Sequence, residues 1–600
     1  MNKKILYRAT FCLILILALF LRLYKIDTLL PPYWEEVALG YDAYSISQTL
    51  RDHHGNFLPL AALESFGDWK PSLYFYAIVP FVKIIGLSVM SVRLPSFLAG
   101  MSIVFGLGVL IKQILQNNRG NTKFELKNFG LLTMLVAAIS PWAILFSRTG
   151  WEVNLATALI LWGIISFFKF LRSERKPLRF LLLSILFLVL SMYAYHATRL
   201  IAPLLGLGLT AIWFLENNSS ASTPKKFLTF FYKNVAKLSI ALIFTLVLAF
   251  PLLKNLSNPA TSQRFRETSI FSNLEIIEES NFRKATQPGL IGKIFYHRYI
   301  LFGREITKNY LSHFNANFLF LKGDANVRHS IQYMGQLYHI EIIFLLLGFF
   351  FVFKTLGTKT NDPEQKLQNN FLRFLLFWLF IGIIPASITH ASPHALRILP
   401  TMPVFIILIA LGIRQLFLWF RNFDFTPITT LKNKIPKLKN INFSSLTIFW
   451  VVLLIFYFGE LSMFARFYTQ IYPLKYSNEW QAGQGDVELN LRILTKQIKQ
   501  AYLSRSLGRP LMYYWFYGET DPRLVQEWNN KAKKDQGEYL QFEGIDVINS
   551  IDEIVVRPAM VVLSPKQLTE LKKNQEIKIV FSREIVNLAK ETVLIVAEIR

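Results

Sequence analysis

Disulfide chemistry is out of reach for this chain. Of its 600 residues one is a cysteine, Cys12, and it lies in the first apolar block, so no intramolecular bridge forms and any exported part must hold together by packing. Charge is scarce as well. Asp, Glu, Lys and Arg make up 17% of the chain, against about 25% in soluble proteins, while 52% of residues are hydrophobic and the mean hydropathy is +0.34. That balance excludes an ordinary soluble multidomain protein. Acidic residues are the scarcer charged class, 39 Asp and Glu against 65 Lys and Arg, a formal net charge of +26. Such a surplus points to nucleic acid when it forms one patch, but here it is spread over separate loops, so no nucleic-acid partner is expected. Also missing are a P-loop, a dinucleotide fingerprint, a CxxC pair, an internal repeat and a low-complexity tract.

What is present is apolar sequence in blocks, and blocks of roughly 20 residues cross a bilayer. The pattern predicts an α-helical polytopic membrane protein with about 11 spans, near 6–24, 92–111, 128–146, 153–168, 180–195, 200–215, 238–254, 340–353, 374–389, 398–420 and 445–466. The first lacks a small-x-small cleavage site and reads as a retained anchor rather than a signal peptide. The N-terminus and loops 112–127, 169–179, 216–237, 354–373 and 421–439 are rich in Lys and Arg and poor in Asp and Glu. The opposite turns 147–152, 196–199 and 390–397 carry one basic residue each, Arg148, Arg199 and Arg397. The positive-inside rule then predicts a cytoplasmic N-terminus in the cell membrane.

Ser72–Met90 is apolar but interrupted by Pro80, Lys83 and Gly86. As a span it would move every later basic loop outside, so it is expected to lie along the outer surface as an interfacial helix. A second surface helix is expected at about 37–50, from the stripe Leu39, Ala43, Ile46 and Leu50. Two domains follow. Residues 1–469 form the transmembrane domain, with external loops 25–91 and 255–338. Residues 470–600 form an external α/β domain, with strand-like runs at Pro510–Phe516, Ile545–Ile548, Met560–Leu563, Ile577–Phe581 and Val593–Ile599.

The outer face concentrates chemistry. Pro31-Pro32-Tyr33-Trp34 would fix the chain and form an apolar wall beside Glu35-Glu36, and such surroundings raise a carboxylate's pKa toward that of a general base. In Phe66-Gly67-Asp68-Trp69-Lys70-Pro71, Gly67 and Pro71 punctuate a turn that presents Asp68 and Lys70, and Lys70 is a compact cation suited to phosphate. Glu35, Glu36 and Asp68 are therefore the catalytic candidates. Lys70, Arg93, Arg148, Arg199 and Arg397 are the candidate phosphate-binding cations, and Trp34, Asp52, Tyr310 and His394 the candidate substrate contacts. Solvated carboxylates, and cations resting on lipid headgroups, would use the same residues without catalysis. The long loop adds Asn309, His313, Asp324, Arg328 and His329, but no His/Asp spacing there matches a strong metal motif. No cofactor is expected, a divalent metal being the one left open.

At these residues the sequence resembles the membrane glycosyltransferases of the C-type fold, in particular the protein O-mannosyltransferase and aminoarabinose-transferase group, family thirty-nine. The resemblance rests on Pro-Tyr-Trp-Glu-Glu at 32–36, Gly-Asp-Trp-Lys-Pro at 67–71 and Val-Arg-Leu-Pro-Ser at 92–96, and it is strongest over 20–115. It implies a polyprenyl-phosphate-linked sugar donor, a glycan, lipid or protein acceptor outside the membrane, inversion at the sugar carbon, Glu35 as base and Lys70 on the donor phosphate. Two positions depart from the group's pattern: Glu35 stands where Asp is usual, and Ser72 replaces the second proline of the lysine element. A transporter or lipid flippase is the main rival reading, and a non-catalytic envelope scaffold the third. A transporter would show charged residues deep within several spans, and here Glu460 is the main acid inside one.

Overall fold

The computed structural model describes residues 3–114, 123–217, 224–255, 266–287, 289–358, 360–422, 445–494 and 498–600. Parts of the basic loops 112–127, 216–237, 354–373 and 421–439, and of the outer region 255–338, fall outside the described residues.

The chain is a multi-pass membrane protein. Among the described residues nine helices are long and apolar enough to cross a bilayer, from Lys4–Leu23 and Val89–Ile114 to Leu399–Arg421 and Thr447–Lys475. Several turn bare apolar surface outward, as lipid contact requires: Leu242, Ile243, Val247 and Phe250 are all about 60% exposed on the helix Pro224–Asn255. The last of the nine runs on past the boundary of 469 expected for the membrane domain, to Lys475.

The other two expected spans differ from straight crossings. That at 128–146 is a bent pair, Asn128–Ile139 and Pro141–Ser147, meeting at 60°. Pro141 has no N–H for the carbonyl of Ala137 and breaks the ladder. Arg22, fully buried at the end of the first helix, takes over the freed acceptors, donating to the carbonyls of Ala137 (3.0 Å) and Ala138 (2.8 Å). The span expected at 340–353 is the helix Glu341–Leu356 of 16 residues, about 24 Å long and short of a full crossing. It packs along Met402–Asn422.

Helices form at both stretches expected to lie on the surface, Trp34–Thr49 and Leu73–Ile85, but the first is not a surface helix: Glu36–Ala43, Ser45 and Ile46 are buried, because the C-terminal region covers the face that one apolar stripe would leave to water. Glu35 and Glu36 lie in the first turn of the former, where acidic groups complement the helix dipole. Between the two helices lies the hairpin Leu63–Ser65/Asp68–Lys70. Its turn residues Phe66 and Gly67 both have positive φ, 53° and 83°, as a two-residue hairpin turn requires. A Cβ on Gly67 would fall 2.1 Å from the carbonyl oxygen of Gln536, so the C-terminal region approaches this turn closely.

That region carries a six-stranded mixed sheet in the order Gln541–Phe542, Ile545–Ile548, Ala501–Ser504, Ala559–Leu563, Thr592–Ile599, Ile579–Val586. The central strand Ala501–Ser504 pairs in parallel with both neighbours. The strand expected at Pro510–Phe516 is instead the helix Pro510–Tyr517, started by Pro510 in its first turn. One apolar core joins this domain to the outer loops, with Val37, Leu39 and Tyr41 of the helix Trp34–Thr49 packed with Trp515, Phe516 and Val562. Gln481 fixes the junction, its Oε1 accepting from Trp34 N–H at 2.7 Å and from Tyr513 O–H at 2.7 Å.

Candidate functional site

Lys70 is the centre of the candidate site. Its alternation on the short strand Asp68–Lys70 puts it on the same face as Asp68. The ammonium, 2% exposed, donates to Glu35 Oε2 at 3.1 Å, lies 3.8 Å from Asp68 Oδ2 and sits 5.6 Å from the centre of the Trp34 ring. Glu35 and Asp68 each keep about a fifth of their side chain exposed. Tyr33 O–H also donates to Glu35 Oε2, at 3.2 Å. Burial and the nearby Glu35 and Glu152 raise the Tyr33 pKa well above its ordinary value, so that hydroxyl stays a donor.

Two further arginines reach the same place. Arg509, from the C-terminal domain, lies 4.6 Å from the centre of the Trp34 ring and donates to the carbonyl of Phe66. Burial lowers its pKa, while Glu538, Asp68 and Glu35 act to raise it. Arg328 from the long loop lies 5.2 Å from the centre of the Tyr33 ring. On the membrane side His196 Nε2 meets the carbonyl of Trp69 at 2.8 Å, and Arg199 donates to the carbonyl of Ala61 at 3.2 Å. The site therefore holds two carboxylates, each about one-fifth exposed, among several cations, with one aromatic face shared by Lys70 and Arg509.

Several expected site residues have structural work instead. Glu36 is 1% exposed, and its oxygens accept from Arg93 Nε and Nη2 and from Gly150 N–H, all at 2.7 Å. Arg93 spends its other donors on the carbonyls of Ile26, Leu30 and Pro31. The pair is a buried clamp that fixes the chain entering the site. Arg148 is likewise enclosed. It donates to the carbonyls of Leu21, Arg22, Tyr24 and Lys25 and to Tyr468 Oη, which caps the end of the first helix. Asp52 is fully buried and accepts from the backbone N–H of His54 and Asn56, an Asx-turn arrangement. Tyr310 hydrogen-bonds the carbonyl of Phe380, away from Lys70.

Arg397 and His394 belong to a second cluster. Arg397 donates to Thr389 Oγ1 and the carbonyl of Ala391. Asp324, His329 and His394 each offer a ligand atom, all within 4.8 Å of one another, and they could hold a metal ion. Burial, His329 and Arg397 push the His394 pKa well below its ordinary value. Burial would raise Asp324, but the hydrogen bond from His329 and the two histidines hold it below the usual range. Sequence spacing does not reveal this cluster because His394 comes from a different loop.

No protein-family model matches the chain, and no curated protein does. Solved structures do. ArnT from Cupriavidus metallidurans, an aminoarabinose transferase solved bound to undecaprenyl phosphate, superposes with a TM-score of 0.50 at 13% identity, over 99% of this chain and 97% of that one. The archaeal oligosaccharyltransferase AglB from Archaeoglobus fulgidus, solved with an inhibitory peptide and a dolichol-phosphate, matches at 10% identity with a TM-score of 0.47, over 86% and 64%. The chain thus has the C-type fold of membrane glycosyltransferases, followed by a C-terminal domain built on a sheet.

Proposed function

We propose that this protein transfers a monosaccharide from a polyprenyl-phosphate donor to a glycan, lipid or protein acceptor on the external face of the membrane. The observation that carries the reading is the contact between Glu35 and the buried ammonium of Lys70. A base and a phosphate-binding cation within 3.1 Å suit a reaction in which one group deprotonates the acceptor hydroxyl while the other stabilises charge on the departing phosphate. When donor binds, its phosphate replaces Glu35 as the partner of Lys70, aided by Arg328, Arg509 and Arg199. The released carboxylate then takes the acceptor proton. Attack in one displacement, from the side opposite the phosphate, inverts the sugar carbon.

The fold also offers a place for the prenyl chain. An apolar cavity of about 490 Å³ lies between Pro177–Ala194, Thr198–Asn217 and Pro224–Asn255, lined by Leu188, Met192, Pro203, Leu246 and Ala249 among others. Arg199 donates to the carbonyl of Met192, which lines this cavity, and to that of Ala61. A lipid tail there would leave its phosphate at the cations. In this reading the N-terminus is cytoplasmic and residues 470–600 are external.

Mass spectrometry of envelope glycans and polyprenyl-phosphate sugars, with and without the gene, tests the proposal. Loss of one glycan modification with accumulation of its lipid-linked donor is expected. Unchanged profiles of both would contradict it.

A further inference from the structure

We propose that Asp324, His329 and His394 form a zinc-type metal site that ties the long outer loop to the turn at 390–397. The inference stands apart from the sugar-transfer reading. Asp324 follows Gly323, whose positive φ of 86° and Cβ clash with Ser330 admit little but glycine. Asp324 Oδ1 accepts from Asn326 N–H at 2.8 Å, and the loop then turns through Val327–His329 and brings His329 back. His394 is fixed separately. Its backbone N–H donates to His313 Nε2 at 3.1 Å, and the next N–H, from Ala395, donates to Asp324 Oδ2 at 2.7 Å.

These anchors aim two imidazoles at one carboxylate oxygen. His329 Nδ1 lies 3.2 Å and His394 Nδ1 3.8 Å from Asp324 Oδ2, and the rings stand 4.8 Å apart. The longer distance is beyond hydrogen-bond reach; His394 Nδ1 instead accepts a long bond from Arg397 N–H at 3.4 Å, which an ion at this nitrogen would replace. The distance from His394 to Asp324 is close to the separation of two ligands on a tetrahedral ion, about 3.4 Å for bonds near 2.1 Å. All three side chains are nearly buried, at 4%, 6% and 12% exposed. Two histidines and a carboxylate match the three protein ligands of zinc sites that keep a fourth position open. Trp151 packs 5.2 Å from the His329 ring and Tyr33 packs 5.2 Å from Trp151. The ion would therefore brace the aromatic wall behind Glu35, and it would hold Arg328, next to His329 in the chain, over Tyr33.

The test uses the full-length protein in detergent, stripped with chelator and reloaded with Zn²⁺ or Co²⁺. One equivalent of zinc per chain by elemental analysis, and visible d–d bands of a tetrahedral cobalt site, are expected. His329→Gln and His394→Gln each leave the backbone bonds to Asp324 in place. Each should weaken metal binding beyond the roughly 10- to 100-fold typical of changes behind the ligands and remove the cobalt bands. His313→Gln, which loses only a loop anchor, should keep both. Substoichiometric zinc in the reloaded wild type, or cobalt bands that survive loss of His394, would overturn the assignment. The same holds if both histidine variants bind zinc as the wild type does.

Discussion

Substituting Glu36 by Gln separates two adjacent carboxylates that are alike in residue type. Glu36 receives three N–H groups at 2.7 Å and is 1% exposed, as is its partner Arg93. An amide at this position turns an N–H₂ toward one of those donors and leaves the guanidinium charge buried without its counter-ion. Breaking a buried, hydrogen-bonded pair from one side costs about 3–5 kcal/mol, a large share of the roughly 5–15 kcal/mol that holds a typical protein together. Glu36→Gln should therefore lower the unfolding midpoint in detergent strongly, while the molecules that remain folded still bind donor. The double variant Glu36→Gln/Arg93→Met should be less destabilised than the two single variants added together, because the stranded charge is gone. A coupling of about 0.5–3 kcal/mol is the usual range for contacting pairs. A Glu36→Gln protein with an unchanged midpoint and no turnover would refute this reasoning and return Glu36 to the chemistry.

Other consequences are as direct. Lys70→Ala should weaken donor binding at least 10-fold and the exposed Lys83→Ala hardly at all, as read by titration with a polyprenyl-phosphate sugar; equal small effects would make Lys70 a structural cation. Arg509→Ala should raise the donor KM about 2- to 30-fold, the range of a cation–aromatic contact of about 0.5–2 kcal/mol, without moving the unfolding midpoint far; an unchanged KM would remove the C-terminal domain from the site. A topology reporter after Lys439 should be cytoplasmic and one after Ser477 external, and finding both on one side would break the proposed orientation. Burial pushes Asp42 up to about 7 and His53 down to about 3. The pair thus holds one proton across the interval in which the unfolded chain also holds one, on histidine, up to about pH 6.5. Wild-type stability should then vary little from this source between about pH 4.5 and 6.5. In His53→Gln, Asp42 keeps a folded pKa above its unfolded value. Its stabilising contribution should be full below about pH 4 and lost as the pH rises toward 7, and unfolding midpoints that rise with pH over that interval would contradict the assignment.

Much of the membrane architecture was legible because hydropathy and basic loops report it directly. The bend at Pro141 was not, since an apolar run that includes one proline still reads as one span. Nor was the helix Pro510–Tyr517, whose aromatic residues favour a strand locally but whose proline suits a helix start. At the site, Glu35, Asp68 and Lys70 could be found together because one short stretch of sequence, 35–70, carries all three. Glu36, Arg93 and Arg148 were indistinguishable from them on residue type. What separates them is burial and the carbonyls they meet, which depend on how the first helix ends against distant turns. Arg509 lies more than 400 residues from Phe66, whose carbonyl it meets. No local pattern in the sequence connects the two.

The most direct test of the central proposal is a transfer assay on Glu35→Gln in proteoliposomes with a defined polyprenyl-phosphate sugar, donor binding being measured on the same preparation. Removing the proton acceptor while keeping the shape should reduce turnover by about 100- to 10,000-fold, or roughly 3–5 kcal/mol of barrier, with donor affinity and unfolding midpoint close to wild type. Asp68→Asn should be milder in the same assay. Near-normal transfer by Glu35→Gln, with transfer abolished in Asp68→Asn, would show that Asp68 is the base and that the account has the wrong carboxylate.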